Sequence, residues 1–139
     1  MHKYTGLILL LTLGLMAATS ADELDCDKAV TTPDVNHCAG LELQAAEDTM
    51  AEYLAASLER HGDDPETVAA IRQAQVSWQA YRDDHCGSVF TYWRGGTIRT
   101  VMSITCSERL TRQRTHDLWI SFLTHMDSAP PVLPEPDIQ

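Results

Sequence analysis

Between Thr32 and His61, apolar and small residues recur at three- and four-residue steps: Leu43, Ala46, Met50, Tyr53, Leu54 and Leu58. Glu42, Glu47, Asp48, Glu52 and Glu59 take the opposite face. That period marks an amphipathic helix, which buries one stripe and leaves the other to water. Thr32-Pro33 predicts its start, with Thr32 as N-cap and Pro33 at the first helical position, and Gly62 predicts its stop. Asp63-Asp64-Pro65 restarts the pattern, Asp64 capping and Pro65 leading. A second helix is expected from Pro65 to Cys86, extending towards Tyr92, with Val68, Ile71, Ala74, Trp78 and Tyr81 as its buried stripe. Trp93-Arg94-Gly95-Gly96 reads as a turn whose two glycines are free to take positive φ. A third helix is expected from Thr97 to His125, offering Val101, Ile104, Leu110, Leu118, Trp119 and Phe122 to the core. Alternating strand patterns are nearly absent, Val89 to Trp93 being the one short stretch that could be read so. The pattern therefore predicts an all-α fold, a small bundle of three main antiparallel helices in up-down-up order, because the connections are short.

The two ends read differently. Lys3, the apolar run from Leu7 to Met16 and the small residues Thr19-Ser20-Ala21 resemble a secretory signal over residues 1–21, too short to span a bilayer. Cys26 follows Glu23-Leu24-Asp25, not the small residues a lipidation site requires, so no membrane anchor is expected. The helical domain is then expected over residues 22–126. Residues 127–139 carry Pro130, Pro131, Pro134 and Pro136 and are expected to form an extended, mobile tail.

Export changes the meaning of the cysteines. Cys26, Cys38, Cys86 and Cys106 make an even set, which in an oxidising compartment reads as a disulfide framework with three pairings open to it. Cys26–Cys38 and Cys86–Cys106 are favoured, since each closes a local loop. The second pair also lies ten residues either side of Gly96, as a clamped helical hairpin would place it. The rival zinc site lacks any Cys-x-x-Cys spacing, and no metal or cofactor is expected.

Charge is lopsided. Of the net −10, residues 22–68 carry thirteen carboxylates against Lys28 and Arg60, whereas seven carboxylates balance seven arginines over residues 69–139. An acidic half of this kind repels nucleic acid and anionic lipid and steers a basic protein partner towards itself. The same face also keeps an exported protein soluble.

Candidate chemistry is sparse. No His-Glu-x-x-His, Gly-x-Ser-x-Gly or phosphate-binding glycine loop occurs, and oxidation would remove a cysteine nucleophile beside His85 or His116. No enzyme activity is expected. Trp78, Tyr81, Arg82 and His85 share a helical spacing and have the composition of a binding hot spot, or of core anchors with a structural arginine. Arg109, Arg112 and Arg114 are expected to brace carboxylates such as Asp83 or Asp84 on the neighbouring helix.

Two blocks in order carry a family likeness. Gln75…Trp78…Tyr81-Arg82-Asp83…Cys86 and Cys106…Leu110-Thr111-Arg112-Gln113-Arg114, preceded by Cys26 and Asn36-His37-Cys38, resemble the LprI-like lysozyme-inhibitor family. The resemblance spans Cys26 to Phe122 and implies an exported, helical, disulfide-containing protein that is periplasmic or secreted. It also implies inhibition of lysozyme, the activity of the family's named member. Lysozymes being basic, Glu42, Glu47, Asp48 and Glu52 become candidates for steering such a partner. Tyr92, Trp93 and Arg94, in the aromatic glycine-hinged turn, become candidates for contacting it. The alternative is an envelope structural or stress protein, or the immunity partner of a secreted toxin.

Overall fold

The computed structural model describes residues 24–138, so the leader expected over residues 1–21 lies outside the described residues. A short 3₁₀ turn, Cys26–Lys28, precedes three helices: α1 (Thr32–Arg60), α2 (Pro65–Tyr92) and α3 (Arg99–Leu118). A π turn, Trp119–Leu123, continues α3, and no strand occurs among the described residues. This is the all-α bundle that the periodicity predicts.

Local chemistry sets the helix ends. At the start of α1 the cap is Thr31, one residue earlier than expected: its hydroxyl accepts from the Asp34 amide, and Thr32-Pro33 both lie inside the first turn. Asp64 caps α2 as expected, its carboxylate accepting from the amides of Glu66 and Thr67, both at 3.1 Å. The end of the π turn that continues α3 is closed by Arg60 of α1, which donates to the carbonyls of Phe122 (2.8 Å) and Thr124 (2.9 Å). A cation there meets the negative end of the helix.

The helices run up, down, up. α3 packs closely against both α1 and α2, whereas the backbones of α1 and α2, though consecutive, stay farther apart and meet through side chains such as Glu47 and Arg82. The main core gathers Met50, Tyr53, Leu118 and Leu123, with Trp78, Trp119, Phe122 and Leu133 packed around it. A second cluster surrounds Cys86, Cys106 and Leu110, joined to the first through Trp78. The α1–α3 seam is lined by small and polar residues. Ser57, Thr111 and Thr115 are fully or almost fully buried, and each hydroxyl returns its hydrogen bond to the carbonyl four residues earlier. That back-bonding satisfies the buried hydroxyls and lets the two backbones approach.

Two expected core positions are overturned. Tyr81 is 54% exposed and stacks on His85 rather than on the core, and Ala74 is also exposed. α3 lies along the side of α2 that carries Ile71, Gln75, Trp78 and Cys86, so Tyr81 turns to water.

The segment after α3 bends at Thr124, over residues 126–129 and at Val132 and Leu133, and returns along the groove between α1 and α3. The Tyr53 hydroxyl donates to the Pro134 carbonyl at 2.7 Å, the Trp119 indole N–H to the Leu133 carbonyl at 2.9 Å, and the Val132 amide to the Leu123 carbonyl at 2.8 Å.

Candidate functional site

Both favoured disulfides are present, Cys26–Cys38 and Cys86–Cys106, and no free cysteine remains among the described residues. A cysteine–histidine nucleophile is thereby removed. The first bond ties the N-terminal 3₁₀ turn to α1. The second bridges α2 and α3 in their buried faces, and the Ser103 hydroxyl donates to the Cys86 carbonyl at 3.0 Å beside it. This clamp fixes the base of a hairpin whose tip is residues 93–98.

The tip is compact. The amides of Trp93, Arg94 and Gly96 donate to the carbonyls of Val89, Thr91 and Trp93. Neither Gly95 nor Gly96 uses its freedom to take a positive φ, because successive tight turns close the connection without one. Tyr92 projects outward at 77% exposure, Trp93 is half-buried, and the two rings meet edge to face at 5.5 Å. Arg94 is exposed and reaches back to the Thr91 carbonyl at 3.3 Å. Arg99 lies over the Phe90 ring at 4.8 Å. The tip thus carries aromatic and cationic groups together.

Arginines organise the flank. The Arg82 guanidinium meets Glu47 of α1 at 2.7 Å, Thr111 of α3 at 3.2 Å and its neighbour Asp83 at 3.3 Å, and stacks over Trp78 at 5.2 Å. One side chain therefore joins all three helices. Arg112 pairs with Glu108 at 2.7 Å and Glu42 at 3.3 Å. Arg114 donates to the Gln75 amide oxygen at 3.0 Å, and burial lowers its pKa, opposed by nearby Asp117. The arginines of α3 thus brace α1 and an amide of α2, not Asp83 or Asp84. Arg109 reaches Gln113 of its own helix, at 3.5 Å.

These pairings divide the acidic candidates. Glu42 and Glu47 are engaged by arginines, and Asp48 accepts from Gln44 at 2.9 Å. Glu52 stays exposed and raises the pKa of Tyr53, after the larger effect of burial. The tip residues and the acidic face are not one cluster: Tyr92 lies ten residues beyond Arg82, about 15 Å along α2. Trp78, Arg82, Asp83, Arg112 and Arg114 form the scaffold between them, with Tyr81 on its outer face. Among the described residues no group of His, Cys, Asp or Glu is arranged to hold a metal ion. No helix of the described residues is long and apolar enough to cross a membrane.

Sequence reasoning missed the buried hydroxyls of the α1–α3 seam. Their signal was the four-residue step Ser107, Thr111, Thr115 on α3. It also missed the groove that receives the C-terminal segment.

Residues 26–118 match the family described as Lysozyme inhibitor LprI. A protein of Rhizobium meliloti (strain 1021), described as Uncharacterized protein R02472, is 32% identical over 124 residues, covering 81% of this chain and 89% of its own. No solved structure matches the chain. With both cysteine-bounded blocks and the acidic first helix inside the matched span, the chain belongs to the LprI lysozyme-inhibitor family.

Proposed function

We propose that this chain is an exported, periplasmic or secreted binding protein that inhibits lysozyme-type muramidases and has no catalytic activity of its own. The observation that carries the reading is the family match across the whole helical body. The two disulfides support an oxidising compartment.

In this reading the hairpin tip is the inhibitory element. Glycosidase clefts hold a pair of carboxylates beside the scissile bond. The tip offers Arg94 to those carboxylates and the Tyr92 and Trp93 rings to the sugar-binding walls. The Cys86–Cys106 clamp presents it already ordered, which lowers the entropic cost of binding. The acidic α1 face acts earlier, accelerating encounter with a basic enzyme.

The test is an inhibition assay of the purified mature chain against c-type, g-type and i-type lysozymes. Inhibition of at least one class at micromolar concentration is expected. Full activity of every class would refute the proposal.

A further inference from the structure

We infer that the groove between α1 and α3 is a recognition site for proline-rich peptides. The chain's own C-terminal segment fills it in cis, and a proline-rich segment of another protein takes its place. This inference is independent of the muramidase reading.

Two aromatic donors define the site. Tyr53 Oη and Trp119 Nε1 donate to the carbonyls of consecutive residues, Pro134 and Leu133, at 2.7 and 2.9 Å. Burial, and after it the charge of Glu52, raises the Tyr53 pKa. These bonds read backbone, not side chains. A proline-rich chain suits them, because its restricted angles and missing amides leave its carbonyls free of internal hydrogen bonds.

The occupant has that character. From Ala129 to Pro136 every residue except Val132 is either proline or precedes one, so nearly every backbone angle is restricted before docking. Side chains then add register. Leu133 packs on the Met50–Tyr53–Leu118–Leu123 core, and Glu135 lies 3.3 Å from His116 Nε2.

The fit is incomplete. A pocket of about 290 Å³, partly open to solvent, lies beside Pro136 and is lined by Ala46, Thr49, Arg112 and Thr115 together with Glu135 and Asp137 of the tail itself. A ligand with a bulkier side chain at that position would fill it. This room favours a foreign peptide, since a tethered tail holds the site at an effective concentration in the millimolar range and only a better-fitting competitor displaces it.

The experiment uses the full mature chain and a fluorescein-labelled synthetic peptide of residues 128–138, followed by anisotropy. Leu133→Asp should eject the tail and strengthen peptide binding at least tenfold over the unaltered chain. Adding Tyr53→Phe should weaken it about fivefold through loss of one hydrogen bond. A peptide carrying Pro136→Leu should bind more tightly than the parent. A Leu133→Asp chain that keeps its helical circular dichroism and binds no better than the unaltered chain overturns the inference. Should Leu133→Asp unfold, the unaltered chain decides: excess peptide must speed hydrogen exchange at the Val132 amide, and unchanged exchange overturns it. A dimer that grows with chain concentration and dissolves on adding peptide would replace the foreign ligand by a second copy's tail, overturning that part.

Discussion

Replacing Arg82 with Met tests whether one guanidinium holds three helices together. The side chain is 15% exposed, and its Glu47 partner 34%. Losing the charge-assisted bond to Glu47 costs about 1.5–3 kcal/mol. Losing the stacking on Trp78 adds about 0.5–1 kcal/mol. Met retains most of the apolar stem, and Glu47 can regain water, which together trim the loss to about 2–3 kcal/mol. The bond to the well-exposed Asp83 contributes little. For a domain of this size that is a fall of about 8–12 °C in Tm. Urea unfolding followed by circular dichroism, disulfides intact, measures it. A double-mutant cycle with Glu47→Gln should return a coupling of about 1–2 kcal/mol. Arg82→Lys should recover less than half of the loss, since an ammonium cannot hold Glu47 and Thr111 in one planar fork. A loss under about 0.5 kcal/mol with no coupling would show that the contact behaves as an ordinary surface ion pair, refuting the scaffold role.

Other outcomes follow from the same geometry. Tyr92→Ala and Arg94→Ala should each weaken lysozyme inhibition about tenfold while moving Tm by less than about 2 °C, as titration calorimetry and melting will show. Asp48→Asn with Glu52→Gln should slow association about threefold or more at low salt and leave dissociation unchanged in surface plasmon resonance. Cys86→Ser with Cys106→Ser frees a 20-residue separation and should cost about 3 kcal/mol in urea unfolding. Asp64 is held below the usual carboxylate pKa, chiefly by the Thr67 hydroxyl and then its amide. A depressed folded-state pKa gives stability that is complete above the unfolded value and lost as pH falls through the folded one. Asp64→Ala should therefore lower Tm at about pH 7, and the two proteins should converge at about pH 2. A difference that persists in acid would place the effect elsewhere.

Much of the hairpin was legible in the chain. The equal spacing of Cys86 and Cys106 about Gly96 anticipates the clamp, and Asp64-Pro65 anticipates the start of α2. The partners of the arginines were not legible. Arg112 meets Glu42 seventy residues away, and only the side-by-side placement of α1 and α3 brings them together. The site candidates divide in the same way: composition singled out Tyr92, Trp93 and Arg94, whereas the exposure of Tyr92 and the half-burial of Trp93 depend on how the tip closes.

The sequence by itself determined the number of helices, the N-caps of the first two to within one residue, and the disulfide-clamped hairpin. Each of these rests on interactions within a few turns of chain, where periodicity and capping chemistry act. Tertiary structure decided which faces met. It made α3 the element shared by α1 and α2, turned Tyr81 to water, and rotated Leu123 inward through a π turn. It also seated Leu133 and Pro134 against Trp119 and Tyr53. Those outcomes depend on helix crossing and on small buried residues such as Thr111 and Thr115, whose effect appears only when two backbones come close.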